Sequence, residues 1–257
     1  MSPRPQWAYV QARLQARHGE RLQEGDWHAL ESAHSVDHYI ERSRGMPLRR
    51  FTERVNARMS AHTIERTLRA AWRAYVAEVA NWVPREWQPA VRWAAHLVDL
   101  PGLDALLRGE TPVWTRREPA LLFIADSDPQ LRNAQPENLP LAPLVAAAAT
   151  EASLAARWYD HWRALWPSRA AETRRLNAFA EVIRHHAERL AMAGPQESSA
   201  PHRQDLASRL ARMFRRNGAS PVAVFCHLAL VALELERLRG GLSRRRLFEP
   251  GHRQEAA

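Results

Sequence analysis

Three groups of side chains in this sequence have the chemistry to do more than pack. Glu181, His185 and Glu188 fall within two helical turns, with His186 beside them, and Glu31, His34 and His38 fall near one helical face. Carboxylate and imidazole at such spacing can share a metal ion, as helical bundles do with Glu and Glu-x-x-His supplied by several helices. Here the Glu181 group reads Glu-x-x-x-His, and no matching motif recurs on a second helix, so surface ion pairing competes directly with metal binding. The third group is basic. Arg209, Arg212, Arg215 and Arg216 recur at three-four spacing and form one helical stripe, and Arg244-Arg245-Arg246 follows the last long helical pattern. Cations at a helix C-terminus complement its dipole. The same groups could dock an acidic partner.

Other chemistries lack their residues. There is no Gly-x-Ser-x-Gly and no Gly-rich phosphate loop of either the Walker or the dinucleotide kind. The sole cysteine, Cys226, lies in the apolar run Val-Ala-Val-Phe-Cys-His-Leu-Ala-Leu-Val and reads as a small buried hydrophobe that forms no disulfide within the chain. Ten Trp residues, several at helical spacing (Trp82, Trp87 and Trp93; Trp158, Trp162 and Trp166), read as fillers of wide gaps between helices. A stacking platform for single-stranded nucleic acid would need them exposed and interleaved with Arg. Only Trp72-Arg73 and Arg92-Trp93 hint at that. The expectation is a non-enzymatic protein with no cofactor and no bound metal.

The elements that must position these groups are helical. Ala, Leu, Arg and Glu dominate, glycine is scarce at 10 of 257 residues, and no segment alternates with period two. The chain reads as all-α: a multi-helix array of two, at most three, related units. The clearest amphipathic helix is Thr63 to Asn81, stopped by Pro84. Other helices are expected over Trp7–Arg17, Trp27–Ala33, Ser35–Arg44, Leu48–Met59, Arg85–Leu97, a short piece from Pro101, Leu144–Trp166, Arg169–Ala193, His202–Arg216 and Pro221–Arg239. The region from Thr111 to Pro143 holds six prolines and reads as a connection containing one or two helical turns at Ala120–Ile124. The expected organisation is a unit over 1–110, the connection 111–143, a second unit over 144–250 and a disordered tail over 251–257.

All 37 basic residues are Arg, against 28 acids, for a net charge of +9. Eleven Arg and five acids fall in the last quarter, from Pro201 onward. A basic end can meet nucleic acid, anionic lipid or an acidic protein. The first residues carry no signal-peptide apolar core, and the most apolar stretch, Val222 to Leu235, is too short to span a bilayer. The expected location is cytoplasmic, at most peripheral to the inner face of the membrane.

Two distant segments share an ending. Asp99-Leu-Pro-Gly-Leu-Asp-Ala-Leu-Leu-Arg108-Gly109 and Glu234-Leu-Glu-Arg-Leu-Arg239-Gly240 both place an acid before a Leu-rich turn and close on Arg-Gly. With the opening helix Tyr9-Val-Gln-Ala-Arg13-Leu-Gln-Ala-Arg17, the run from Ile64-Glu65 through Pro84, and the helix over Pro221 to Arg239, they resemble the central-stalk subunit of V-type and A-type rotary ATPases. Gly102 and Arg237 stand where that family tends to have Asn, and the chain is shorter than a full three-unit subunit. The resemblance implies an adaptor that couples soluble and membrane parts of a proton-transporting complex. It implies that Asp99 with Arg108, and Glu234 with Arg239, are structural ion pairs, and that the Arg-rich ends meet partner subunits or lipid headgroups. Two alternatives stand beside it: an Arg-rich nucleic-acid-binding protein, and a helical metal enzyme using His185 and its acid neighbours.

Overall fold

The computed structural model describes residues 3–125, 141–146, 153–167, 170–192 and 198–248, and all the regular structure in them is helical. In chain order the α-helices are α1 (Pro3–Gly19), α2 (Glu24–Glu31), α3 (Val36–Arg44), α4 (Arg49–Thr52), α5 (Ala61–Trp82), α6 (Gln88–Trp93), α7 (Leu100–Leu107), α8 (Leu122–Ala125), α9 (Ala142–Ala146), α10 (Leu154–Ala164), α11 (Ala170–Met192), α12 (Ala200–Arg216) and α13 (Pro221–Phe248). Short 3₁₀ turns flank α6 and precede α8. The all-α expectation holds.

Local rules set the ends. Ser35, Ser60 and Ser153 each accept a hydrogen bond from the backbone N–H three residues on, capping α3, α5 and α10. Gln23 and Asp26 form a capping box at the start of α2. At the end of α5, Val83 is extended (φ −80°, ψ 159°), as a residue before proline must be. The Ser153 cap also divides the expected single helix over 144–166 into α9 and α10; residues 147–152 lie outside the described residues.

The chain divides into two compact units, but not at the expected boundaries. One joins Met1–Pro84 to Ser168–Ala257, and the other is Arg85–Pro167. The expected division into 1–110 and 144–250 fails because α11, α12 and α13 return to the N-terminal helices: α13 packs on α1, α3, α5, α11 and α12. The tail 251–257 and most of the Pro-rich connection (126–140) lie outside the described residues. In the first unit α13 is the axis. From Val222 to Leu228 every residue is buried, and Leu230, Val231, Leu235, Leu238 and Leu242 continue the core. The second unit closes over Trp87, Trp93, Leu103, Leu121, Leu141, Leu144 and Trp162. Gly102 lets Leu121 and Trp114 approach its backbone; a Cβ there would lie 2.6 Å from Trp114 Cη2.

The Arg-Gly recurrence is not a structural repeat. Gly109 has φ +84° and follows the C-terminal turn of α7, the left-handed position that favours glycine. Gly240 lies inside α13, which runs on through Gly241 to Phe248. The second pair of glycines has another use. Gly241 is buried beneath Tyr39, and a Cβ there would lie 2.6 Å from Tyr39 Cζ, whereas one at Gly240 would meet open space.

Three alanine substitutions therefore separate in urea unfolding. Gly240→Ala should stabilise by ~0.5–1 kcal/mol, as for any exposed helix-interior glycine. Gly109→Ala should cost about 1 kcal/mol, and Gly241→Ala ~1–3 kcal/mol through overpacking against Tyr39. A destabilised Gly240→Ala variant would restore the repeated corner.

Candidate functional site

The arginines singled out from the sequence divide by what they already hold. Arg245 stacks on the Tyr39 ring, 4.1 Å from its centroid, and donates to the carbonyls of Ala33, Glu31 and Gly241. Arg246 is 9% exposed and donates to the Ala57 carbonyl at 3.1 Å. These two bind the protein's own backbone at the ends of helices and loops, so they are removed from the candidate partner surface; Arg244, which precedes them, remains exposed. Arg209 is tied to Asp205 at 3.1 Å, and the same carboxylate holds Arg189 of α11 at 3.0 Å. Arg212, Arg215 and Arg216 are exposed and have no ion-pair partner among the described residues. They sit at the C-terminal end of α12, opposite its buried stripe of Leu206, Leu210 and Phe214. The adjoining turn is fixed to α1: Ala219 N–H donates to Gln11 Oε1 at 2.8 Å, and His18 stacks on Phe214 at 4.4 Å.

The expected ion pairs form with other partners. Glu234 pairs with Arg21 at 2.8 Å and Arg239 with Glu65 of α5 at 3.4 Å, so each links α13 to a neighbour rather than to the other. Asp99, 1% exposed, faces His96 at 3.1 Å, while Arg108 pairs with Asp104 and Glu110 on the surface. The reason is geometric. Asp99 begins α7 and Arg108 follows its last turn, too far along the helix to meet side to side, and Glu234 and Arg239 are five residues apart on α13.

The histidine–acid groups are engaged elsewhere. On α11, Glu181 and Glu188 both pair with Arg184 while His185 is exposed. Glu31 is held by Arg237, which also binds Glu24 and covers Trp27 at 4.7 Å; His34 and His38 lie exposed beyond the end of α2. Hydrogen bonds from Arg237 lower the pKa of both Glu24 and Glu31. Among the described residues no three His, Cys, Asp or Glu side chains are grouped to hold a metal. Trp72 and Trp93 are buried, 1% and 6% exposed, and so offer no stacking surface. Cys226 is buried, and burial pushes its thiol up to about 12.

A polar recess that sequence reasoning did not single out lies against α13. It is lined by Arg17, Glu20, Arg21, Arg50, His227 and Glu234, with free space of about 10 Å³, room for about one water. His227 is fully buried. Tyr75 Oη meets its Nε2 at 2.6 Å, and its Nδ1 has no protein partner. Burial, helped by His18, Arg50, Arg21 and Arg17, pushes His227 down to about 3. Burial raises Tyr75 to about 12 and raises Glu234 as well, outweighing its bond to Arg21. Arg50 lies over the Tyr75 ring at 5.2 Å, and Arg17 bonds Glu20 and Glu78, each at 3.3 Å. Two sequence signals pointed here: a histidine inside the most apolar run, and Tyr9, Arg13, Arg17 and Arg21 at four-residue intervals. In the structure Arg13 donates to the Tyr9 hydroxyl at 2.9 Å and covers Trp82, so that motif fastens α1 to α5.

No family model, characterised protein or solved structure matches this chain.

The His227 environment sets a direction for acid stability. Its folded pKa lies below the unfolded 6.5, so between 6.5 and about 3 the unfolded chain binds the extra proton and stability falls as pH falls. The slope from this residue alone is at most about 1.4 kcal/mol per pH unit. Glu234, raised above 4.5, opposes it just above that value; Glu24 and Glu31, lowered, add to it near and below 4.5. The double variant Tyr75→Phe/His227→Leu removes both polar atoms together. It should retain most of the stability at pH 7.5 and lose about one proton from the acid slope in urea titrations at pH 5–6. An unchanged slope would show that His227 does not titrate with unfolding.

Proposed function

We propose that this protein is a non-enzymatic adaptor that docks an acidic partner within a membrane-associated complex. The observation that carries the docking part is the group Arg212, Arg215 and Arg216, exposed at one helix end and without ion-pair partners among the described residues. Charge segregation supports it. The unit formed by residues 1–84 and 168–257 holds 29 Arg against 18 acids, net +11, while the inserted unit 85–167 holds 8 against 10, net −2. A field of one sign steers an acidic surface and raises association rates at low salt. The membrane-complex part rests on the resemblance of Tyr9, Arg13 and Arg17 to the opening helix of the rotary ATPase stalk subunit; the Arg-Gly endings no longer contribute to it. A place at the inner face of a membrane belongs to the same proposal, and no helix among the described residues is long and apolar enough to cross one.

The test is recovery of the tagged full chain from its native host at low salt. The adaptor reading expects stoichiometric co-recovery of subunits of a membrane complex, reduced about tenfold by the triple variant Arg212→Gln/Arg215→Gln/Arg216→Gln. Recovery of RNA or DNA instead, with affinity falling steeply as salt rises, would replace it with the nucleic-acid reading. Protein partners captured equally by the triple variant would move the docking face elsewhere.

A further inference from the structure

The docking group on α12 has a titratable neighbour. His18, half-buried in the last turn of α1, stacks on Phe214, with ring centroids 4.4 Å apart and planes 25° from parallel. Phe214 has no exposed surface, and the next residue is Arg215. A second tie lies seven residues earlier on the same face of α1, where Gln11 Oε1 accepts from Ala219 N–H at 2.8 Å. The turn that holds Ala219 is itself fixed. Asn217 Nδ2 donates to the Met213 carbonyl at 2.8 Å and Ser220 Oγ to the Asn217 carbonyl at 2.6 Å. Ala219 sits at φ +51°, in the left-handed region that an L side chain keeps only when its surroundings enforce it. The end of α12 that carries the arginines is thus fastened to α1, and His18 is part of the fastening.

The charges that His18 meets there are positive. Burial, then the guanidinium groups of Arg21 and Arg215, hold its pKa below 6.5. His227 of α13, 6.5 Å from the same Phe214 ring, adds no counter-charge, since burial keeps it neutral. The acids of this region are taken by other arginines: Glu20 by Arg17 and by Arg50 of α4, Glu234 by Arg21. Of the two cations that act on His18, Arg21 is therefore balanced. Arg215 has no ion-pair partner among the described residues.

An acidic partner changes that balance. A carboxylate set against Arg215 offsets the cation that opposes a proton on His18. We propose that docking of the acidic partner at Arg212, Arg215 and Arg216 is coupled to uptake of a proton by His18, so that the complex tightens as pH falls. This rests on the docking reading above and adds its regulation. The sign follows from linkage. In the free chain His18 titrates below 6.5, and in the complex it titrates at a higher pH. Between the two the complex holds more protons than its separated parts, and affinity rises with acidity. The partner's own carboxylates, which titrate near 4, stay charged throughout that window.

The test is binding of a deca-aspartate peptide to the full chain at pH 7.5 and pH 5.5, at fixed ionic strength. Other histidines add to any gain on acidification, so the comparison is with His18→Asn, which keeps eleven of the 12. The unaltered chain should gain about threefold more affinity over this range than His18→Asn, as expected for a rise of about half a pKa unit. Imidazole resonances of the unaltered chain give a reading that needs no His18 variant. The His18 midpoint should rise when the peptide saturates the chain, and should not respond to peptide in Arg212→Gln/Arg215→Gln/Arg216→Gln. In the free chain, Arg215→Gln alone should raise it. Peptide bound equally well by the triple variant would overturn the docking reading itself. Peptide lost with the triple variant, but with the same pH profile in His18→Asn or an unmoved His18 midpoint, would overturn only the proton coupling. A peptide that binds at neither pH would overturn both.

Discussion

Helix α13 is buried on every side through its first two turns, and the first unit is organised around that constraint. A helix with no polar face there cannot lie on a surface, so neighbours must enclose it. α1, α3, α5, α11 and α12 do so, and they come from both ends of the sequence. This is why the chain closes on itself around an inserted segment, where the sequence suggested two units in series. It also explains why a polar residue inside that stretch is exceptional. His227 sits there with the Tyr75 hydroxyl on one nitrogen and no protein partner on the other.

Further along, α13 changes character, and charge rather than apolar area fixes its neighbours. Glu234, Arg237, Arg239, Arg245 and Arg246 bind four neighbouring segments, Arg237 and Arg245 meeting at Glu31. The absence of Lys matters here. A guanidinium can grip two carboxylates while lying over an indole, as Arg237 does with Glu24, Glu31 and Trp27. It can also collect several backbone carbonyls from a loop while stacking on a phenol, as Arg245 does with Tyr39. An ammonium would manage neither with the same geometry.

The long amphipathic helices were legible in the sequence because their pattern and their caps agree. α5 is the clearest case: Ile64, Leu68, Trp72, Tyr75 and Val79 point inward, Ser60 starts it and Pro84 forbids its continuation. The short elements were not. The stretch expected as a helix over 48–59 forms only α4, and the stretch over 85–97 breaks into 3₁₀ and α turns, because tertiary contacts decide segments too short to hold a helix alone. The Arg-Gly echo misled for a related reason. Glycine serves equally as a left-handed stop at Gly109 and as a place of close approach at Gly241, and the dipeptide does not say which. The recess was illegible because its residues come from three distant segments, and the Arg21–Glu234 pair alone spans 213 positions. Only the fold brings Arg21 to Glu234.

Counting basic residues therefore says little about partners until each is asked what it already holds. Of the seven arginines that the sequence offered for docking, Arg245 and Arg246 are committed to carbonyls and Arg209 to Asp205. A committed guanidinium cannot turn to a partner without leaving a backbone oxygen or a carboxylate exposed to the loss. An exposed one, such as Arg216, gives up only water. The distinction narrows a diffuse charge of +9 to one helix end and Arg244. It also separates two kinds of electrostatic work in the same unit: the inner arginines set which helices meet, and the outer ones remain available to set which molecule arrives.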